Sequence, residues 1–215
     1  MTVNLWSEPD HARSYLERRS LIPNREQGYA ALLEFLPASP RRVLDLGTGD
    51  GYLIARIRDA HPESTGIAAD FSFEMLGRVR TRFAGDDTVT VVEHNLDDPL
   101  PAAWGTFDAV VSSFAIHHVS DDRKHALYGE IHDHLEPGGV FCNLEHVASP
   151  TPELHDEFLA AIGSSRLGDD PSNQLLDVAT QLRWLFELGF EQVDCHWKWR
   201  ELALLAGQKS RETLA

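Results

Sequence analysis

The sequence predicts an α/β fold: a doubly wound seven-stranded sheet, mostly parallel, with helices on both faces and one antiparallel strand in a C-terminal hairpin. Three observations predict it. Short apolar runs alternate with helical patterns along most of the chain, a glycine-rich turn follows the first run, and the last two runs lie almost end to end. In order, residues 43–46 (Val-Leu-Asp-Leu) read as a first strand and 52–60 as a helix opening just past three glycines. Residues 65–69 read as the second strand, 73–83 as the next helix and 88–92 as the third strand. The run 107–112 is a fourth strand. A helix over 122–135 follows and is closed by the turn Glu136-Pro137-Gly138-Gly139, ahead of a fifth strand at 139–144. The β-like runs 192–199 and 201–206 have only Arg200 between them. Parallel neighbours need a long crossover, so this pair is a hairpin. Alternation places Val193, Cys195, Trp197 and Trp199 on one face of it.

Two segments lie outside this core within what is expected to be a single domain of 215 residues. Residues 1–37 form a mainly helical leader carrying Arg13, Tyr15, Arg18, Arg19, Arg25 and Tyr29. Residues 147–175, rich in Pro, Gly, Ser and Asp around one short helix, are an insertion on the substrate side, where lids and binding walls are commonly built. With 19 basic and 34 acidic residues the net charge is −15, which repels phosphate backbones and argues against nucleic acid as a partner. A content of 42% hydrophobic and 25% charged residues argues against disorder. No apolar run is long enough for a membrane span, and the first residues do not resemble a signal peptide, so a cytoplasmic protein away from membranes is expected. The two cysteines, Cys142 and Cys195, fall in strand-like runs without metal-ligand spacing and are read as reduced core residues.

The strongest signal is Asp45-Leu46-Gly47-Thr48-Gly49-Asp50-Gly51, placed between a strand and a helix. Glycines there let the backbone turn tightly and let a ligand touch the main chain. A phosphate-binding P-loop needs Gly-Lys-Ser/Thr, which is absent, and the dinucleotide fingerprint needs glycine where this chain has Tyr52. The spacing is G-x-G-x-G with an acid two residues ahead. In these residues the chain resembles the class I S-adenosylmethionine-dependent methyltransferases, over residues 41–146 and more loosely in the hairpin, and the resemblance implies a Rossmann-like sheet. It implies that Gly47, Thr48, Gly49 and Gly51 cradle the methionine part of S-adenosylmethionine, with S-adenosyl-L-homocysteine as product, and that Asp45 helps hold the ammonium. Asp70, ending the second strand, is placed to accept both ribose hydroxyls, or else to cap the following helix. Phe71 then flanks the adenine. Asn95 stands where the family usually has Asp and accepts through its amide oxygen, without charge, while Leu96 covers the base. Ser112, first of the stretch Ser112-Ser113-Phe114-Ala115, lines the methionine moiety.

Methyl transfer from a sulfonium is an in-line displacement that benefits from a base near the acceptor. Glu145-His146 ends the fifth strand at the cofactor edge, and His146 is the leading base, with His117 next; otherwise both are hydrogen-bonded structural residues. His118 reads as structural and His155 as a surface or lid residue. No ligand spacing supports a metal site. Arg25, with Arg18 and Arg19, either meets the cofactor carboxylate or an acidic substrate or lies on a helix surface. Trp197, Trp199 and Arg200 form a wall for a substrate or for the second copy of a homodimer, or pack on the core. The reading is a methyltransferase acting on N or O of a small molecule. Its alternatives are a non-catalytic cofactor-binding protein and an enzyme similar to carboxy-S-adenosylmethionine synthase. The latter needs an arginine near Trp184, where the chain offers Arg183.

Overall fold

The structure, a computed structural model, describes residues 22–211. Helix α1 (Arg25–Phe35) leads into β1 (Arg42–Leu46), α2 (Tyr52–Ala60), β2 (Thr65–Asp70), α3 (Phe73–Arg82), β3 (Val89–Glu93) and β4 (Phe107–Ser113). The chain continues through α4 (Asp121–His134), β5 (Leu135–His146), α5 (Pro152–Ala161), α6 (Val178–Glu187), β6 (Phe190–Trp199) and β7 (Leu202–Lys209). All seven strands join one sheet in the order β3-β2-β1-β4-β5-β7-β6. Every pairing is parallel except those of β7, which runs antiparallel to both β5 and β6. The expected doubly wound sheet with its C-terminal hairpin is what forms. Arg13, Tyr15, Arg18 and Arg19 of the leader lie outside the described residues.

Helix starts follow from local chemistry. The side chains of Ser120, Thr151 and Asp177 accept from the backbone N–H groups of Arg123, Leu154 and Thr180, and so cap α4, α5 and α6. Pro152 occupies the first turn of α5, where its missing N–H costs nothing. Strand alternation then sorts the core. Val43, Ala109, Val111, Cys142, Leu144 and Leu204 face α1, α2 and α5. Leu44, Leu46, Val110 and Phe141 face α4 and α6 on the other side. A Cβ on Gly28 would stand 2.7 Å from Leu144 and 2.9 Å from the Trp197 ring, so α1 lies against the sheet more closely than a larger residue allows.

Two expectations need correction. The segment 136–139 is not a turn ahead of β5 but part of the strand. Leu135 already pairs with Phe107, and the register shifts before Val140 pairs with Ala109. Gly139 makes the crossing possible, since a Cβ there would meet the carbonyls of Phe107 and Asp108 at 3.0 and 3.2 Å. On β6 the alternation does not run straight through. Register shifts between Cys195 and Trp197, so Cys195 packs with Ala203 and Leu205 on the α6 side while Trp197 and Trp199 join the α1 side.

The insertion departs and returns at one place, where the Ala148 N–H donates to the Leu176 carbonyl (3.1 Å). Among the described residues no helix is long and apolar enough to cross a membrane.

Candidate active site

The carboxyl ends of β1, β2, β3 and β4 converge on one cavity, as open α/β sheets arrange their ligand crevices. After β1 the chain turns through Gly47 (φ 66°), Gly49 (φ 58°) and Gly51 (φ 76°), backbone conformations that strain residues with a Cβ. The Thr48 N–H donates to the Ala69 carbonyl at 2.9 Å, which ties the loop to β2. A Cβ on Gly47 would stand 2.2 Å from that of Ala115, so this glycine lets the loop close against the segment after β4. At Gly49 a side chain would meet nothing within 4 Å, and the bare backbone borders the cavity.

Two buried aspartates stand behind this loop. Asp70 accepts from the Gly49 N–H on Oδ2 and from the Ser72 N–H on Oδ1, both at 2.8 Å, and lines the cavity. Burial raises its pKa to about 6 against the lowering effect of those donors. Asp45 is 1% exposed and stands behind Thr48, whose hydroxyl donates to its Oδ2 at 2.5 Å. Its Oδ1 has no hydrogen-bond partner among the described residues. Burial, with the nearby charge of Asp70, raises its pKa to about 7 although Thr48 opposes this.

Phe71, Asn95 and Leu96 line the same cavity, as expected of them. The Asn95 amide oxygen already accepts from the Asp97 N–H at 3.1 Å and so braces its own loop. Arg25 is buried, with its guanidinium 4.1 Å above the Phe114 ring and donating to the Tyr29 hydroxyl. Three expected residues do not border the cavity: Ser112, Gly51 and Asp45, the last sealed behind Thr48. Ser112 points to the α4 face and donates its hydroxyl to the Leu46 carbonyl (2.8 Å), while the neighbouring Ser113 takes the cavity wall. Gly51 caps α2 and faces Val79 and Phe83, so its part is the turn. Sequence reasoning gave no cavity role to Tyr29, Phe114 or His118, all of which line it.

A second cavity, of about 350 Å³, adjoins the first and shares Arg25, Phe114 and His118 with it. Apolar side chains from α5, with Ile22 and Leu202, form one side, and His117, His118 and His146 another. Phe114 sits at the junction with φ 55°, a conformation costing about 1–3 kcal/mol in a non-glycine residue and typical of functional sites. His117 Nδ1 lies 2.5 Å from Oε1 of Glu145, which is 1% exposed and stands behind it. Burial, reinforced by His146, pushes the His117 pKa well down; burial likewise raises Glu145 to about 7. His118 is pushed down to about 3 by burial and by His117. Glu145 therefore lies behind the wall and acts only through His117. His146 Nε2 is 2.9 Å from Oε2 of Glu201, whose other oxygen is 3.0 Å from His155 Nδ1. Burial works against ionisation of Glu201, yet hydrogen bonds from His146, Ser149 and His155 hold its pKa below the usual range. Arg183 is largely exposed and pairs with Glu187, so α6 brings no arginine to either cavity. Among the described residues no three His, Cys, Asp or Glu side chains are arranged to hold a metal.

A glycine loop between strand and helix, an acid at the end of the next strand and a seven-stranded sheet with β7 reversed define a nucleoside-cofactor-binding α/β protein. Comparison with known proteins narrows the class. A family model described as a methyltransferase domain matches residues 43–139. The demethylmenaquinone methyltransferase of Clavibacter sepedonicus is 32% identical over 173 residues, covering 74% of this chain and 69% of the relative. An uncharacterized methyltransferase of Mycobacterium tuberculosis is 36% identical over 129 residues, 60% of this chain and 61% of the relative. A non-reducing polyketide synthase of Penicillium shearii is 28% identical over 177 residues, 80% of this chain, of which the chain spans 8% of the length. In structure, an O-methyltransferase family protein of Burkholderia thailandensis superposes with a TM-score of 0.72 at 19% identity, covering 95% of this chain and 61% of that one. A putative methyltransferase of Haloferax volcanii, in complex with the Trm112 methyltransferase activator, gives 0.71 at 19% identity, covering 95% and 98%. The chain belongs to the class I S-adenosylmethionine-dependent methyltransferases.

Proposed function

We propose that the protein transfers a methyl group from S-adenosylmethionine to a nitrogen or oxygen of a small molecule bound in the second cavity. The observation that carries this reading is the shared wall. The glycine-loop cavity and the histidine-lined cavity meet at Arg25, Phe114 and His118, so a cofactor in one and an acceptor in the other are neighbours.

The first cavity fits the cofactor. Asp45 stands behind Thr48 and does not border the cavity; its carboxyl, with Oδ1 unpartnered among the described residues, would place negative charge behind the loop that meets the ammonium. The open backbone at Gly49 matches close approach, and each Asp70 oxygen retains a lone pair for a ribose hydroxyl. S-adenosylmethionine supplies an electrophilic methyl carbon on a sulfonium. His117, neutral through burial and oriented by Glu145, takes the proton that the acceptor loses, and Glu145 stabilises the imidazolium so formed. The apolar wall of Ile22, Phe158, Leu159, Ile162 and Leu202 excludes water from the nucleophile. A carbon acceptor is the second reading, favoured by the likeness to a ubiquinone/menaquinone biosynthesis C-methyltransferase of Desulfotalea psychrophila; here His117 would generate the carbon nucleophile.

The test is transfer of labelled methyl from S-adenosylmethionine into a cell extract separated by mass. Label in low-mass compounds supports the reading, and the labelled atom separates N or O from carbon. Label confined to macromolecules, or no label while cofactor binding is confirmed, overturns it.

A further inference from the structure

The acceptor cavity holds two histidines built alike. His117 gives Nδ1 to buried Glu145, and His146 gives Nε2 to buried Glu201. The remaining nitrogen of each ring, Nε2 of His117 and Nδ1 of His146, has no hydrogen-bond partner among the described residues. Both rings line the cavity, with centroids 5.5 Å apart and planes at 71°.

In a neutral imidazole whose N–H is committed to a carboxylate, the other nitrogen is a lone-pair acceptor. One methyl transfer to a heteroatom releases one proton, so one such ring completes the proton balance and the second is left for recognition. Where both rings are neutral, two lone pairs in one cavity select a ligand with two donors. Centroids 5.5 Å apart leave both rings within hydrogen-bond reach of two neighbouring atoms of one small ligand. Asp169 and Asp170, also on this wall, add acceptors, and Arg25 at the junction with the first cavity adds donors. The rings of Phe114 and Phe158 and the aliphatic side opposite favour a flat apolar body.

We infer that the acceptor is a 1,2-dihydroxyarene, with one hydroxyl on His117, where it is deprotonated and methylated, and its neighbour donating to His146. This rests on the proposed methyltransferase reading and names the substrate class of the same site. Formation of the methyl–oxygen bond accompanies cleavage of the methyl–sulfur bond, the phenolic proton goes to His117, and S-adenosylhomocysteine leaves. The monomethylated product keeps only one donor and is held less well.

The test is equilibrium binding of catechol, phenol and 2-methoxyphenol to the full chain saturated with S-adenosylhomocysteine, by titration calorimetry. Catechol is expected to bind about tenfold more tightly than either of the others, since they forfeit one hydrogen bond to a desolvated partner. His146→Phe is expected to bring catechol to the affinity of phenol and to leave phenol unchanged. Equal binding of the three ligands, no binding of any, or a catechol preference that survives in His146→Phe overturns the inference. The comparison in the unaltered protein decides by itself if the variant does not fold. Because the readout is binding, a preference for catechol without methyl transfer counts against the methyltransferase reading, whereas methyl transfer without the preference counts against this inference alone.

Discussion

Replacing Asp45 by Asn separates what the fold needs from what the cofactor needs. Asp45 is sealed from solvent, one oxygen taken by Thr48 and the other without a partner among the described residues. Its carboxyl is lifted from 3.8 to about 7, which disfavours the ionised form by roughly 4 kcal/mol at about 1.4 kcal/mol per pH unit. The sign follows from proton counting. Between those two values the folded protein keeps a proton that the unfolded chain releases, so this group's contribution to stability falls as pH rises and levels off above about 7. Asn keeps an acceptor for Thr48 and has no charge to bury. Asp45→Asn is therefore expected to stabilise the cofactor-free protein, and its advantage should grow by roughly 3 kcal/mol between pH 5 and pH 8. Urea unfolding of both proteins at the two pH values reads this directly. Binding of S-adenosylmethionine should change in the opposite sense, weakening about 10- to 100-fold at pH 8 for a lost charge-assisted hydrogen bond. If Asp45 helps hold the ammonium as proposed, affinity in the unaltered protein should rise as pH passes through about 7 and the carboxylate forms. A stability difference that does not vary with pH, or an Asn variant that binds the cofactor undiminished, would refute this reasoning.

Two further outcomes are expected. Because burial keeps Glu145 protonated below about pH 7, kcat should climb through that value as the carboxylate behind His117 forms, and Glu145→Gln should lose this step along with about 10- to 100-fold in kcat; a flat profile between pH 6 and 8 in the unaltered enzyme would rule the pair out. Gly47→Ala should cost about 2–5 kcal/mol in thermal unfolding, from the positive φ and the 2.2 Å approach to Ala115, and a cost below 1 kcal/mol would show that the loop yields there.

The sheet was legible because its signals are local. Asp45 with the glycines after it, the acid at Asp70 and the periods of the core strands can each be read within a dozen residues; the structure sets Gly49 and Asp70 on the cavity but seals Asp45 behind Thr48. What escaped depends on contacts made across the chain. Ser112 and Ser113 are equivalent as letters, yet the pleat turns one to the α4 face and the other to the cavity, and only the register against β1 and β5 decides which. The bulge at Cys195 reverses the faces of Trp197 and Trp199 for the same kind of reason. Phe114 carries a left-handed backbone that no rule of composition assigns to phenylalanine; its N–H donates to the Leu144 carbonyl (2.8 Å) on the neighbouring strand. Glu145 and His146 are neighbours at the end of β5, but adjacency in the sequence names the hydrogen-bond partner of neither. The partners instead cross: Glu145 serves His117, and His146 is served by Glu201 from the hairpin tip.

The hydrogen bond between Ala148 and Leu176 closes the insertion at its base, on the side of the second cavity. Everything between those residues starts and finishes at one point on the sheet, so shortening or lengthening it leaves the strands in register and changes the loop-closure entropy only slowly, by about 0.6 kcal/mol per doubling of length. That segment supplies Phe158, Leu159, Ile162 and the acidic wall of the acceptor cavity and contributes no residue to the glycine-loop cavity. Its far end is tied into the wall between the cavities, where Ser172 and Gln174 bond His118, the Gln174 carbonyl also accepts from buried Lys124 and the Gln174 N–H donates to the His117 carbonyl. Residues 149–171 are therefore the stretch an engineer can vary first while Gly49, Asp70 and His118 stay as they are.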